Sequence, residues 1–400
     1  MVYALIFSSL LQIKNLKGEF KKFPLRIPLL LLLLAALLTG ILDSRLALFL
    51  RFYRPLTYFL ESFSVIFLTY IYINKKEDFE YFFKKLVLLF ALMGVYGVIN
   101  LLTGQSQYYA MISKAYGVLD TANLNMTEGR GRFRIASFTN NPIYYGYLVC
   151  VILLVITFLY SSSRWISKKK MYYGIFFLLI CNLFLTNSRT PLVAFIIGTA
   201  IFLYFSTNLG QKIKVVIIGI FLVVMGVTLF PDKFQIVDDT ISTFTSSGSD
   251  VEGSSVAMRE VQLAASIVIF NQSPIIGHGF KYIIEGLGFG DTDEAKTTDL
   301  KGFESYSYVL LIEQGSLGIA ANIIFFFFLF AYLIKNYKKC DVTGKKYIIL
   351  TISILCSFLL FILGTGALGT FLFVMSIVGI LLKAPILYKK TIHEFNPSKI

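Results

Sequence analysis

A chain of 400 residues that is 56% hydrophobic and only 15% charged is not an ordinary soluble domain, which carries about 25% charged residues. Its mean hydropathy is +0.73, and the apolar residues gather in runs near the ~20 needed to cross a bilayer core. A transmembrane β-barrel is excluded, because it would show short segments of alternating polarity instead. The fold class is therefore an all-α polytopic integral membrane protein, with 1–400 as a single membrane domain. The first apolar stretch lacks a basic leader region and a small-residue cleavage site, so no removable signal is expected. Cys150, Cys181 and Cys356 lie in apolar runs and Cys340 in a lysine-rich loop, a spacing that gives neither a disulfide framework nor a metal site.

In chain order, apolar spans are expected near 2–13, 27–42, 55–73, 86–102, 142–160, 172–187, 190–206, 213–230, 306–334, 347–363 and 366–382, about eleven in all. Lysines and arginines crowd every second connection: Lys14–Arg26, Lys75–Lys85, Arg164–Lys170, Lys212–Lys214, Lys335–Lys346 and Lys383 onward. Basic loops stay on the cytoplasmic side. The N-terminus is then outside and the C-terminus cytoplasmic. Two long polar loops, 103–141 and 231–305, fall outside, the second carrying short amphipathic helices. The net charge of +14 is thereby a matter of topology and of anionic lipid headgroups, and calls for no nucleic acid.

The two basic residue types divide by side. Of 27 lysines, 22 are cytoplasmic, whereas 8 of 10 arginines are external: Arg45, Arg51, Arg54, Arg130, Arg132, Arg134, Arg189 and Arg259. Either type serves the topology signal, but only the planar guanidinium grips a phosphate or carboxylate with two hydrogen bonds at once. An anionic ligand on the outer face is one reading. Ordinary ion pairing with external carboxylates is the other.

Particular stretches sharpen that reading. Gly129-Arg130-Gly131-Arg132-Phe133-Arg134 resists helix formation, and in an extended chain Arg130, Arg132 and Arg134 share one face at about 6.6 Å spacing, which suits a diphosphate. Asn140-Asn141-Pro142 opens the fifth span as a cap followed by a first-turn proline, directing the helix's positive end outward. Capping alone also accounts for Asn140. Leu185-Thr186-Asn187-Ser188-Arg189 is a polar break between two spans, with Arg189 at the outer membrane edge, where an arginine snorkels or meets a partner. Arg259 stands early in an amphipathic stretch, Val256 to Asn271, whose apolar side (Val261, Ala264, Ala265, Val268) suits a membrane surface. His278 sits between Gly277 and Gly279 in a tight turn. Asp291, Asp293 and Glu294 read as a solvated acidic loop, not a metal site. Glu304 begins the ninth span; Glu313, nine residues on, lies about 13 Å deeper on the opposite face, so the two cannot form one acid pair.

Phe138-Thr139-Asn140-Asn141-Pro142, Leu185-Thr186-Asn187-Ser188-Arg189, Arg259 with Pro274-Ile275-Ile276-Gly277-His278-Gly279, and Glu313-Gln314-Gly315-Ser316-Leu317-Gly318 occur in an order around one large external loop that resembles the O-antigen polymerase and O-antigen ligase family, over roughly residues 130–320. The resemblance implies glycosyl transfer, with inversion and without metal or other cofactor, from a polyprenyl-diphosphate-linked oligosaccharide on the outer face of the cytoplasmic (inner) membrane. Membrane lipids, a flippase and a chain-length regulator are the implied partners. Ligases carry a His-Asn pair where this chain has Glu304-Ser305, a departure that fits the more variable polymerases. On that reading the catalytic candidates are Glu304, as base, and His278. The binding candidates are Arg130, Arg132, Arg134, Arg189, Arg259 and Asn140, with Tyr282, Tyr306 and Tyr308 placed to stack on sugars. The competing readings are a ligase acting on lipid A core or another acceptor, and a lipid-linked saccharide transporter. A transporter would show repeated halves with polar sites near the midplane, and no internal repeat is present.

Overall fold

The computed structural model describes residues 16–116, 133–161, 169–206, 210, 256–288, 303, 305–366 and 368–389. In these the regular structure is helical. In order the α-helices are α1 (Leu16–Lys22), α2 (Arg26–Ile41), α3 (Leu48–Phe59), α4 (Val65–Tyr72), α5 (Lys76–Thr103), α6 (Gln107–Tyr116), α7 (Pro142–Ser161), α8 (Lys169–Leu185), α9 (Arg189–Ser206), α10 (Val256–Gln272), α11 (Tyr306–Tyr337), α12 (Val342–Gly364), α13 (Phe371–Leu381) and α14 (Ala384–Leu387). A π turn, Leu60–Ser64, joins α3 to α4, and another, Tyr282–Gly286, follows α10.

Helices stand at nine of the eleven expected spans; spans 2–13 and 213–230 lie outside the described residues. Among the described residues five helices (α5, α7, α9, α11 and α12) are long and apolar enough to cross a membrane by themselves, or six if α1 and α2, bent by 105°, count as one span. The remaining ones are shorter or broken. The run α3–π turn–α4 holds Arg51 and Arg54 in its first half, and α8 and α13 have fewer than 18 residues.

Packing follows from small residues at the crossings and aromatic rings between them. A Cβ on Gly40 of α2 would come within 2.5 Å of the Arg51 carbonyl oxygen of α3, and one on Gly198 of α9 within 2.9 Å of Leu154 of α7. Glycine lets the α2 and α3 backbones approach closely and leaves room for the Leu154 side chain against α9, the usual device where helices meet inside lipid. Phe63, Phe325, Phe358 and Phe371 meet edge to face in the centre, and Tyr147 stacks on Phe361 at 4.0 Å.

The two ends of the bundle differ in chemistry. At one, Lys346 donates to the Ser161 carbonyl and Lys383 lies over the Tyr70 ring. Arg45, Arg54, Arg134, Arg189 and Arg259 all belong to the other, at the far ends of α2, α8 and α12 or the near ends of α9, α10 and α11.

Candidate functional site

α11 is not continuous. At Gly315, three turns in, the backbone takes φ 60°, ψ −159°, a conformation essentially reserved to glycine. A break within a span exposes main-chain polar groups that lipid cannot satisfy. The turn after α10 satisfies them here. His278 N–H donates to the Ile312 carbonyl and Gly279 N–H to that of Glu313, both at 2.9 Å. In return Ser316 N–H donates to the Pro274 carbonyl at 2.9 Å and Leu317 N–H to that of Ile275 at 3.0 Å. The turn comes this close because it is built on glycine: a Cβ on Gly277 would lie 2.5 Å from the Glu313 carbonyl carbon, and one on Gly279 would strike the Asp43 carboxylate. The run Pro274–Gly279 and the run Glu313–Gly318 are thus two halves of one joint.

Three predicted arginines converge beside the first turn of α11. Arg134 Nε donates to the Thr186 carbonyl at 3.0 Å and its Nη2 to Ser188 Oγ at 2.7 Å, in the turn between α8 and α9. Arg189 follows directly as the first residue of α9, half-buried. Its neighbour Thr190 packs against Gly364 at the end of α12. The Gly364 carbonyl in turn accepts from Arg259 Nη2 at 3.1 Å, and the Thr365 carbonyl accepts from Tyr306 N–H at 3.1 Å. The Gly364 carbonyl oxygen fixes the Arg259 guanidinium without neutralising it. Three helix starts (α7, α9 and α11) open at this end, and helix N-termini favour anions. Backbone strain collects here too. Among the described residues the non-glycine positions with positive φ are Ser137 (52°) and Asn187 (49°), on the segments that carry Arg134 and Arg189, and Lys281 (63°), at the start of the Tyr282–Gly286 π turn. Such strain gathers at functional sites.

A second polar group lies on the other side of α11's first turn. Arg45 holds Asp43 through Nε (2.9 Å) and Nη2 (2.7 Å), and also donates to the His278 carbonyl. Arg54 holds both oxygens of Glu285 at 2.8 and 2.9 Å and donates to the Phe280 carbonyl at 3.1 Å. Arg45 Cζ is 4.6 Å from the Tyr282 ring centre, on which the His278 ring stacks at 4.3 Å. The two groups connect through the bundle. Tyr58, one helical turn beyond Arg54, has its hydroxyl 2.6 Å from that of Tyr306.

The expected site residues divide as follows. Arg134, Arg189 and Arg259 are brought together. Arg130, Arg132 and Glu304 lie outside the described residues, although Ser305 caps α11 by accepting from Ser307 N–H. Asn140 is exposed, and its neighbour Asn141 caps α7 through Ile143 N–H at 2.8 Å. His278 is committed: its Nε2 is 2.9 Å from the Ile269 carbonyl, besides the stack on Tyr282. Tyr306 has no open face for a sugar; it is 3% exposed, its ring set against Phe371 and its hydroxyl bonded to Tyr58 and Asn322. The Arg45 and Arg54 pairs were not singled out by sequence reasoning, although the spacing of Arg51 and Arg54 on an otherwise apolar helix was a usable sign. Among the described residues no three His, Cys, Asp or Glu side chains are grouped to hold a metal.

Residues 174–306 match the family model of O-antigen ligases. The match takes in Arg189, Arg259 and the turn carrying His278, and ends at Tyr306. No curated protein matches the chain.

Proposed function

From the match of residues 174–306 to the O-antigen ligase family model, we propose that the chain polymerises polyprenyl-diphosphate-linked saccharide repeat units into O-antigen, capsular or exopolysaccharide. The work is done on the outer face of the cytoplasmic membrane, with the arginine end of the bundle outside and the C-terminus cytoplasmic. The observation that carries this reading is the convergence of Arg134, Arg189 and Arg259 at the Gly364–Thr365 corner, beside the start of α11.

In the proposed reaction an acceptor sugar hydroxyl attacks the anomeric carbon of the donor. The bond from that carbon to the diphosphate oxygen breaks, and the lipid diphosphate leaves with the electron pair. Negative charge therefore grows on the leaving oxygen. Fixed guanidinium groups and helix starts aimed at that position stabilise the transition state more than the ground state. The acceptor proton passes to a base, for which Glu304 is proposed from its place immediately before the α11 cap. His278 is assigned to positioning, since its ring and main chain hold the joint closed. Attack opposite the leaving group inverts the anomeric centre. Arg130 and Arg132 are proposed to extend the diphosphate grip, and a flippase and a chain-length regulator to act before and alongside the enzyme.

A second reading, transfer of a finished glycan to lipid A core or another acceptor, is favoured by the description of the matching family itself. Purified protein incubated with lipid-linked repeat units decides between them. A ladder of lengthening lipid-linked chains identifies the polymerase; a single transfer to a different acceptor identifies the ligase; no transfer overturns both.

A further inference from the structure

The Arg45–Arg54 group sets two cations beside two anions. Each of its guanidinium groups is met by a carboxylate in two-point contact, Arg45 by Asp43 and Arg54 by Glu285. The charge is balanced within the group, so a diphosphate would find little net attraction there. What the group does offer is fixed hydrogen-bonding capacity. Arg45 has five N–H donors, and those used are on Nε and Nη2, toward Asp43 and the His278 carbonyl. Among the described residues neither Nη1 of Arg45 nor the Tyr282 hydroxyl has a hydrogen-bond partner. The Arg45 side chain is 36% exposed and that of Glu285 45% exposed. Each Glu285 oxygen accepts one Arg54 N–H, which leaves about half of the carboxylate's four or so acceptor positions open.

These open atoms are held still. Arg45 lies over the Tyr282 ring, the His278 ring stacks on that same ring, and Glu285 stands in the short π turn that begins at Tyr282. Donors and acceptors of both signs, pre-oriented and electrically balanced, match a neutral polyhydroxyl ligand better than an ion. They also adjoin the other group. Arg54 and Tyr58 are one turn apart on α3, Tyr58 touches Tyr306, and Tyr306 N–H meets the Thr365 carbonyl next to the Gly364 carbonyl that holds Arg259.

We infer that Arg45 Nη1, the Tyr282 hydroxyl and the Glu285 carboxylate form a saccharide subsite, which binds sugar hydroxyls of a lipid-linked substrate whose diphosphate occupies the arginine corner. The inference rests on the glycosyl-transfer reading given above. It makes this rim the part of the enzyme that reads the glycan, and leaves the corner to read the lipid diphosphate.

Two conservative variants test it in the full-length protein. Tyr282→Phe keeps the ring and its stack on His278 and removes one hydroxyl; Glu285→Gln keeps the shape and removes the charge. With lipid-linked saccharide extracted from the producing cells as substrate, each variant is expected to raise KM about 3- to 10-fold, the effect of one lost hydrogen bond. Inhibition by sugar-free polyprenyl diphosphate is expected to stay as in the parent. An unchanged KM in both variants, or an equal weakening of the sugar-free inhibitor, overturns the subsite. If the parent protein transfers nothing, the glycosyl-transfer reading fails, and the subsite is read separately by saturation-transfer NMR with the saccharide released from the same lipid by mild acid. Signals present with the parent and lost in Tyr282→Phe support it; absent or equal signals overturn it.

Discussion

Replacing Gly315 by alanine tests the joint on which the whole arginine end is built. Two costs follow from the geometry. The residue's φ of 60° and ψ of −159° lie in a region that residues with a Cβ occupy at a cost of about 1–3 kcal/mol. The added methyl would also lie 2.6 Å from Gly277 N and 2.7 Å from the Ile275 carbonyl oxygen. Both are backbone atoms, and neither can swing aside as a side-chain end would. Moving them strains the bonds from Ser316 and Leu317 N–H to the Pro274 and Ile275 carbonyls, each worth about 1 kcal/mol net. Together the loss is about 3–5 kcal/mol. At about 1.2 °C per kcal/mol, from an unfolding entropy of about 2.1 cal/mol/K per residue over 400 residues, the unfolding midpoint of the purified protein in detergent should fall by about 4–6 °C. Gly174→Ala on α8 is the control, since nothing stands within 4 Å of its Cβ position and alanine is the better helix former by about 1 kcal/mol. A Gly315→Ala protein that unfolds within about 2 °C of the parent would refute the argument that the turn and the broken helix are one unit.

Other outcomes are expected from the same arrangement. Arg189→Lys and Arg259→Lys keep the charge and lose the two-point fork, so at least one should shorten or abolish the lipid-linked ladder; full-length polymer in both would remove the diphosphate role. Glu304→Gln should slow turnover about 100-fold if Glu304 is the base, measured on protein shown to be folded; activity within a few-fold of the parent leaves it as a helix-start residue. A single cysteine at Ser247 should react with an impermeant thiol reagent in intact cells and one at Thr343 should not; the opposite pattern inverts the topology.

The membrane class and most helix positions were legible because they depend on run length and composition, which sequence carries directly. The α7 cap was legible for the same reason: an Asn before a Pro has few other uses, and Asn141 indeed bonds Ile143 N–H. The count of spans was less so. The single span expected at 55–73 holds instead the end of α3, the Leu60–Ser64 π turn and α4. A shift of hydrogen-bond register from i+4 to i+5 leaves no mark in composition. The burial of Tyr306 was not legible, because Tyr58, 248 residues distant in sequence, closes on its hydroxyl.

What sequence order could not supply was the reason for the two glycine motifs. Gly277 and Gly279 look like an ordinary loop turn, and Gly315 and Gly318 like small residues for helix packing. Their meaning is mutual. The α11 helix opens at Gly315 to release the Ile312 and Glu313 carbonyls, and the turn needs its own glycines to bring His278 and Gly279 N–H within reach of them. The closed joint then fixes the entry of α11, where Ser305 caps the helix and Tyr306 N–H reaches the Thr365 carbonyl. That same entry stands between the arginine corner and the charge-balanced rim. The separation of the two groups is therefore set by main-chain bonds inside a membrane-spanning helix. It does not depend on the side chains that would touch a substrate, so those side chains are free to differ with the sugar while the lipid diphosphate stays in register.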